Sequence, residues 1–82
     1  TPAQRRAVTA RDRHCRFPSC HRLPPWCDVH HIAGWFNDHG PTDVDNLILL
    51  CRRHHTLVEN TRWTITRQDG GDYRFSHPAR GP

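Results

Sequence analysis

Apolar positions in this chain come in short runs set among long polar stretches. Residues 1–13 carry a thin apolar stripe of Ala3, Ala7, Val8 and Ala10 among arginines, behind a Thr1-Pro2 start. That spacing predicts a basic helix. Residues 14–26 are rich in Cys, Pro and Arg, with turn signals at Phe17-Pro18-Ser19 and Leu23-Pro24-Pro25, and read as a knuckle and a loop. Trp26 to Ile32 is built of β-formers and predicts a short strand. Gly34, Asn37-Asp38 and Gly40-Pro41 make residues 33–42 the loop of a hairpin. Residues 43–50 lead into a second helix, with Asp45 or Asn46 as its turn or cap residue. That helix runs from Cys51 to about Asn60, with Leu57 and Val58 on its buried side. Trp63-Thr64-Ile65-Thr66 and Tyr73-Arg74-Phe75, joined by Asp69-Gly70-Gly71-Asp72, predict a closing hairpin before a frayed end. With no repeat and no linker, residues 1–82 read as one α+β domain, and the abrupt start at Thr1 reads as a piece of a longer protein.

A chain of 82 residues, only 34% of them hydrophobic, has little core to rely on. Small scaffolds of this kind usually add disulfides or a metal. Four cysteines could pair as two disulfides in a secreted protein. Against this stand eight histidines, four of them in the pairs His30-His31 and His54-His55, a pattern useless to a disulfide scaffold. No apolar stretch suits a signal peptide or a membrane span, so the expectation is a metal-binding, cytoplasmic protein without a membrane partner. The net charge is +4 and every basic residue is arginine. Arginine grips phosphate at two points, which suits a polyanionic partner, although a GC-rich genome produces the same bias. For Arg5, Arg6 and Arg11, phosphate contact and simple helix packing stand as equal readings.

Cys15 and Cys20 are separated by four residues in a knuckle, and Cys51 and His54 by two, one helical turn. Together they supply the four tetrahedral ligands of a structural zinc. One ion would then close a long loop and substitute for missing core. Cys27 reads as a small buried hydrophobe rather than a ligand. His14 and His21 are minor competitors as ligands, and His39 and His77 read as surface residues.

The remaining order is a HisHis pair on a strand, an Asn after the loop, and a His on the next helix. Carried by residues 15–20, 26–32, 40–55 and Trp63, this pattern resembles the HNH endonuclease family, and most closely the HNH domains that end long actinobacterial proteins. The resemblance implies a ββα-metal (His-Me finger) fold and metal-dependent, weakly sequence-specific hydrolysis of DNA, with the partner a double-stranded DNA. It implies that His30 and His55 hold a catalytic divalent cation (Mg²⁺, Mn²⁺, Ni²⁺ or Zn²⁺), that His31 is the general base, and that Asn46 orients it. Adjacent strand residues face opposite ways, so His30 and His31 do different jobs. The matching family position four residues after His55 is often His; here it is Glu59, on the same helix face. Glu59 is either a third ligand, suited to hard ions, or a solvated carboxylate. Arg52 and Arg53 on the same helix are expected against the DNA backbone. Trp26, Trp35 and Trp63 are expected to fill the core, the alternative being to stack on unpaired bases. The competing function is a zinc-stapled module that binds nucleic acid without cutting it.

Overall fold

A computed structural model of the chain describes residues 1–32 and 44–80. Helix α1 spans Pro2–Asp12. Thr1 caps it in a capping box, its hydroxyl accepting from the Gln4 backbone N–H at 3.2 Å while its amino group donates to Gln4 Oε1 at 3.0 Å. Strand β1 (Cys27–His31) pairs antiparallel with β2 (Leu47–Cys51), placing Cys27 opposite Cys51 and His31 opposite Leu47. Helix α2 (Arg52–Asn60) follows β2 without a spacer. Strands β3 (Thr64–Arg67) and β4 (Tyr73–Ser76) form a second antiparallel pair. The architecture is α+β, with two helices and two two-stranded sheets among the described residues. No helix there is long and apolar enough to cross a membrane.

The sequence pattern predicts residues 43–50 as the approach to a helix. Instead Val44–Asn46 is one 3₁₀ turn and Leu47 opens a strand. The continuous run Leu47-Ile48-Leu49-Leu50 explains the difference: such a run suits a strand covered on both faces, and all five residues of β2 are buried. Both α1 and α2 pack on it. The residue preceding α2 is therefore Cys51, without a side-chain cap, and neither Asp45 nor Asn46 serves as one. The expected hairpin loop at 33–42, with Trp35 and His39, lies outside the described residues.

Helix α1 does not dock through its alanines. Ala3, Ala7 and Ala10 are exposed and only Val8 of the stripe is buried. The helix is held instead by buried Asp12, which accepts from the Leu49 backbone N–H at 3.0 Å, the Tyr73 hydroxyl at 2.9 Å and the Arg11 guanidinium at 2.9 Å. Arg11 in turn donates to the carbonyls of Val44 and Leu47. A buried carboxylate is tolerable only when satisfied in this way. The network ties α1, β2 and β4 together and settles the use of Arg11: it packs. The core itself comprises Val8, Cys15, Cys27, β2, Val58 and Ile65, with Phe17, Trp63 and Phe75 against it. Trp63 thus fills core as expected. Trp26 does not; it is 65% exposed, and Leu57, expected on the buried side of α2, is 36% exposed.

Candidate metal centres

The knuckle at residues 15–20 is pinned to the sheet. The Cys15 N–H donates to the Arg22 carbonyl at 2.8 Å and the Arg16 N–H to the Leu49 carbonyl at 3.0 Å. Its return uses Ser19 in the left-handed region at φ 66°, and the Cys20 N–H reaches the Phe17 carbonyl at 3.0 Å. These bonds carry Cys15 and Cys20 to the β2–α2 corner, where Cys51 and His54 stand. The four ligand atoms lie within 4.8 Å of one another.

None of the four cysteines is in a disulfide. Cys20 Sγ is 4.0 Å from Cys51 Sγ, and His54 Nδ1 is 3.6 Å from Cys15 Sγ and 3.3 Å from Cys51 Sγ. Tetrahedral zinc with bonds of about 2.3 Å to sulfur and 2.0 Å to nitrogen would put ligand atoms about 3.5–3.8 Å apart, so the spacing fits. Charge fits as well. Burial pushes the Cys15 thiol up to about 12, so a thiolate there needs a cation beside it. Burial, then the charges of Arg53 and Arg22, lower His54 and keep it a neutral donor. Its ring stacks on Phe17 at 4.1 Å between centroids, and Phe17 meets Trp63 and Phe75 edge-on. The cluster is compatible with a structural metal. Cys27 stays outside it, with Sγ donating to the carbonyls of Leu23 at 3.4 Å and Arg22 at 3.6 Å. His14 also stays outside, its Nδ1 donating to the Cys15 carbonyl at 2.7 Å.

A second cluster comprises His30, His55 and Glu59, again within 4.8 Å. His30 comes from β1, the other two from successive turns of α2. The rings of His30 and His55 are 5.1 Å apart, and Glu59 Oε1 lies 3.0 Å from His55 Nε2 and 3.9 Å from His30 Nδ1. Burial, then repulsion from His55, drives His30 down to about 4, so at neutral pH its contact with Glu59 is not an ion pair. It presents a lone pair instead.

Sequence reasoning missed Asp28. Its Oδ2 accepts from His55 Nδ1 at 3.0 Å and from Arg52 Nε at 2.9 Å. The His55 hydrogen bond and the Arg52 charge hold the Asp28 carboxyl below the usual carboxylate range. The clue was spacing: Asp28 stands two residues before His30, on the same strand face. A neutral imidazole has a single N–H, and Asp28 takes it. The Nε2 lone pair then faces a Glu59 oxygen at 3.0 Å. Two lone pairs so close require a cation between them or a proton on the ring. A divalent ion with bonds of about 2.1 Å sets neighbouring octahedral ligands about 3.0 Å apart, so this donor set fits one.

The predicted residues divide by location. Arg52 lines a cavity of about 540 Å³ with Asp28, His55 and Glu59, whereas Arg53 is exposed and outside that lining. His31 lines a separate cavity of about 330 Å³ with Thr1, Gln4 and Leu47. Arg5 and Val29 line both. Asn46 is buried beside Leu47, the partner of His31 in the sheet, and its carbonyl accepts from the Ile32 N–H at 2.8 Å. Arg5 is held by the carbonyls of Pro24 and Cys27, both at 3.1 Å.

The chain is similar to long proteins of Mycobacterium tuberculosis that are themselves uncharacterized. One is 36% identical over 78 residues, which is 95% of this chain and 17% of that protein. A second is 35% identical over 79 residues, 96% of this chain and 17% of the relative. A third reaches 46% over 57 residues, 70% of this chain and 10% of the relative. The chain therefore spans less than a fifth of the length of these relatives. No protein-family model matches it, and no solved structure does.

Proposed function

We propose that this protein is an HNH-type, metal-dependent DNA endonuclease with a ββα-metal core formed by β1, β2 and α2. The observation that carries the reading is the separation of two ligand sets by chemistry: three cysteines and His54 in one cluster, His30, His55 and Glu59 in the other. Thiolate-rich sets suit zinc held for structure, and imidazole-carboxylate sets suit a divalent ion that meets phosphate. When bound at His30, His55 and Glu59, that ion would relieve charge on the scissile phosphate and on the departing 3′ oxygen.

His31 serves as general base, its imidazole accepting the proton of the attacking water. Asn46 holds the base in place from the turn that precedes β2. Asp28 fixes the His55 tautomer, and Arg52 contacts the phosphate backbone, with Arg53 reaching it further along the same helix. Arg5 and Val29 border both the cavity of His31 and that of His55, which supports a phosphodiester meeting both.

Incubation with supercoiled plasmid tests this directly. With Mg²⁺, Mn²⁺ or Ni²⁺ the protein should nick the plasmid, EDTA should stop it, and His31→Ala should lose activity by orders of magnitude while still folding and binding DNA. Equal cutting by the variant removes His31 from its role. No cutting with any metal leaves a zinc-stapled binding module.

A further inference from the structure

One apolar cavity among the described residues is lined by no member of either ligand cluster. It measures about 550 Å³ and lies between α1 and the turn that precedes β1, walled by Thr9, Ala10, Pro24 and Pro25 with Arg5 and Arg6 at its edge. Its volume lies in the range of small-ligand sites, roughly 300–1,000 Å³. The 3₁₀ turn that supplies both prolines ends in Trp26, whose indole is left 65% exposed where the other described tryptophan, Trp63, is packed. Trp26 directly follows Pro25, so this exposed indole is carried by the same turn that supplies one side of the cavity.

Charge narrows the choice of ligand. No acidic residue lines the cavity, and among the described residues neither Arg5 nor Arg6 is paired with a carboxylate. The site therefore combines apolar walls with two guanidinium groups that pair with no carboxylate, Arg5 donating instead to the carbonyls of Pro24 and Cys27. That combination fits a nucleotide, a planar base attached to a phosphate. Arg5 also lines the cavities of His31 and of His55, so this one side chain borders all three.

The geometry points to a nucleobase subsite: the cavity between α1 and Pro24-Pro25, together with Trp26, receives an unpaired base of DNA next to the cleavage position. This inference rests on the reading of the protein as one that engages DNA, and it names the form of that DNA. A base inside a duplex cannot leave its stack to enter the cavity without the cost of unpairing; a base in a single strand can. The preferred substrate is thus DNA with unpaired nucleotides, such as a single strand or a branch, rather than the continuous duplex implied by the family resemblance.

The test is binding of a labelled oligodeoxythymidylate and of a duplex of equal length, followed by anisotropy with no catalytic metal added. The single strand should bind more tightly and should quench the tryptophan emission. Trp26→Ala should weaken single-strand binding by roughly five- to a hundredfold, the range for losing one base stack, and leave duplex binding unchanged. Ala10→Phe, on the exposed face of α1, should fill the cavity and have the same selective effect without loss of folding. Equal binding of both DNA forms, or equal losses in both, overturns the subsite. If no metal supports cleavage but selective single-strand binding persists, the nuclease reading fails and the subsite stands.

Discussion

Asp28 Oδ2 stands 3.0 Å from His55 Nδ1, so the strand that supplies one ligand of the second cluster also orients another ligand on the facing helix. Outer hydrogen bonds of this kind fix the tautomer and ring angle of a metal-binding histidine. Asp28→Asn should therefore weaken Mn²⁺ or Ni²⁺ binding by about 10–100-fold, as titration calorimetry would record. The melting temperature should change little, since Asp28 is not part of the core. Unchanged affinity would show that the His55 ring is held by other means.

The cysteine cluster should carry much of the stability. Its four residues come from the knuckle and the β2–α2 corner, which it joins alongside the Arg16–Leu49 backbone bond and the stack of Phe17 on His54. Stripping metal with a strong chelator should unfold the protein or lower its melting point sharply, and readdition of zinc should restore it. Cys51→Ser should bind far less than one zinc per chain by elemental analysis and show the same loss. A full zinc complement with an unchanged melting point in that variant would dismiss the cluster as a metal site.

Glu59 gives the second cluster an oxygen ligand, and hard ions prefer oxygen. Glu59→Gln should cost more affinity for Mg²⁺ or Mn²⁺ than for Ni²⁺. Glu59→His should turn the preference toward Ni²⁺ and Zn²⁺. A metal order identical in all three proteins would return Glu59 to the role of a solvated helix carboxylate.

Alkaline stability should report the Asp12 network. Burial, then the hydrogen bond to Asp12, pushes the Tyr73 hydroxyl up to about 12. In the unfolded chain a tyrosine titrates near about 10. Between those values the unfolded state gives up its proton first, so stability is intact below about pH 10 and falls as pH rises toward about 12. Urea midpoints measured across that window should drop, and Tyr73→Phe should flatten the drop. An equally steep decline in the variant would assign the loss to other groups.

The members of the Cys15, Cys20, Cys51 and His54 cluster were legible in sequence because their spacings, a four-residue knuckle and a single helical turn, are local. Helix α2, the closing hairpin and the packing of Trp63 were legible as well. Strand β2 was missed because a short apolar run has no period that separates strand from helix. Asp12 and Asp28 were missed because each acts through partners far along the chain: Asp12 through Leu49 and Tyr73, Asp28 through Arg52 and His55. Only the two-residue step from Asp28 to His30 left a trace in the sequence, and Asp12 left none. Trp26 was placed inside because tryptophans usually help fill cores, a tendency that says nothing about any one of them.

Because Cys51 ends β2 and Arg52 begins α2 with nothing between them, the corner sets the phase of the helix as a gear sets a shaft. His54 and His55 are one residue apart, about 100° around the axis, and each meets a different set of partners. Inserting one residue at this junction would advance the helix by that angle and present each imidazole to the wrong neighbours. The joint should therefore accept substitutions of side chain far more readily than any change of length.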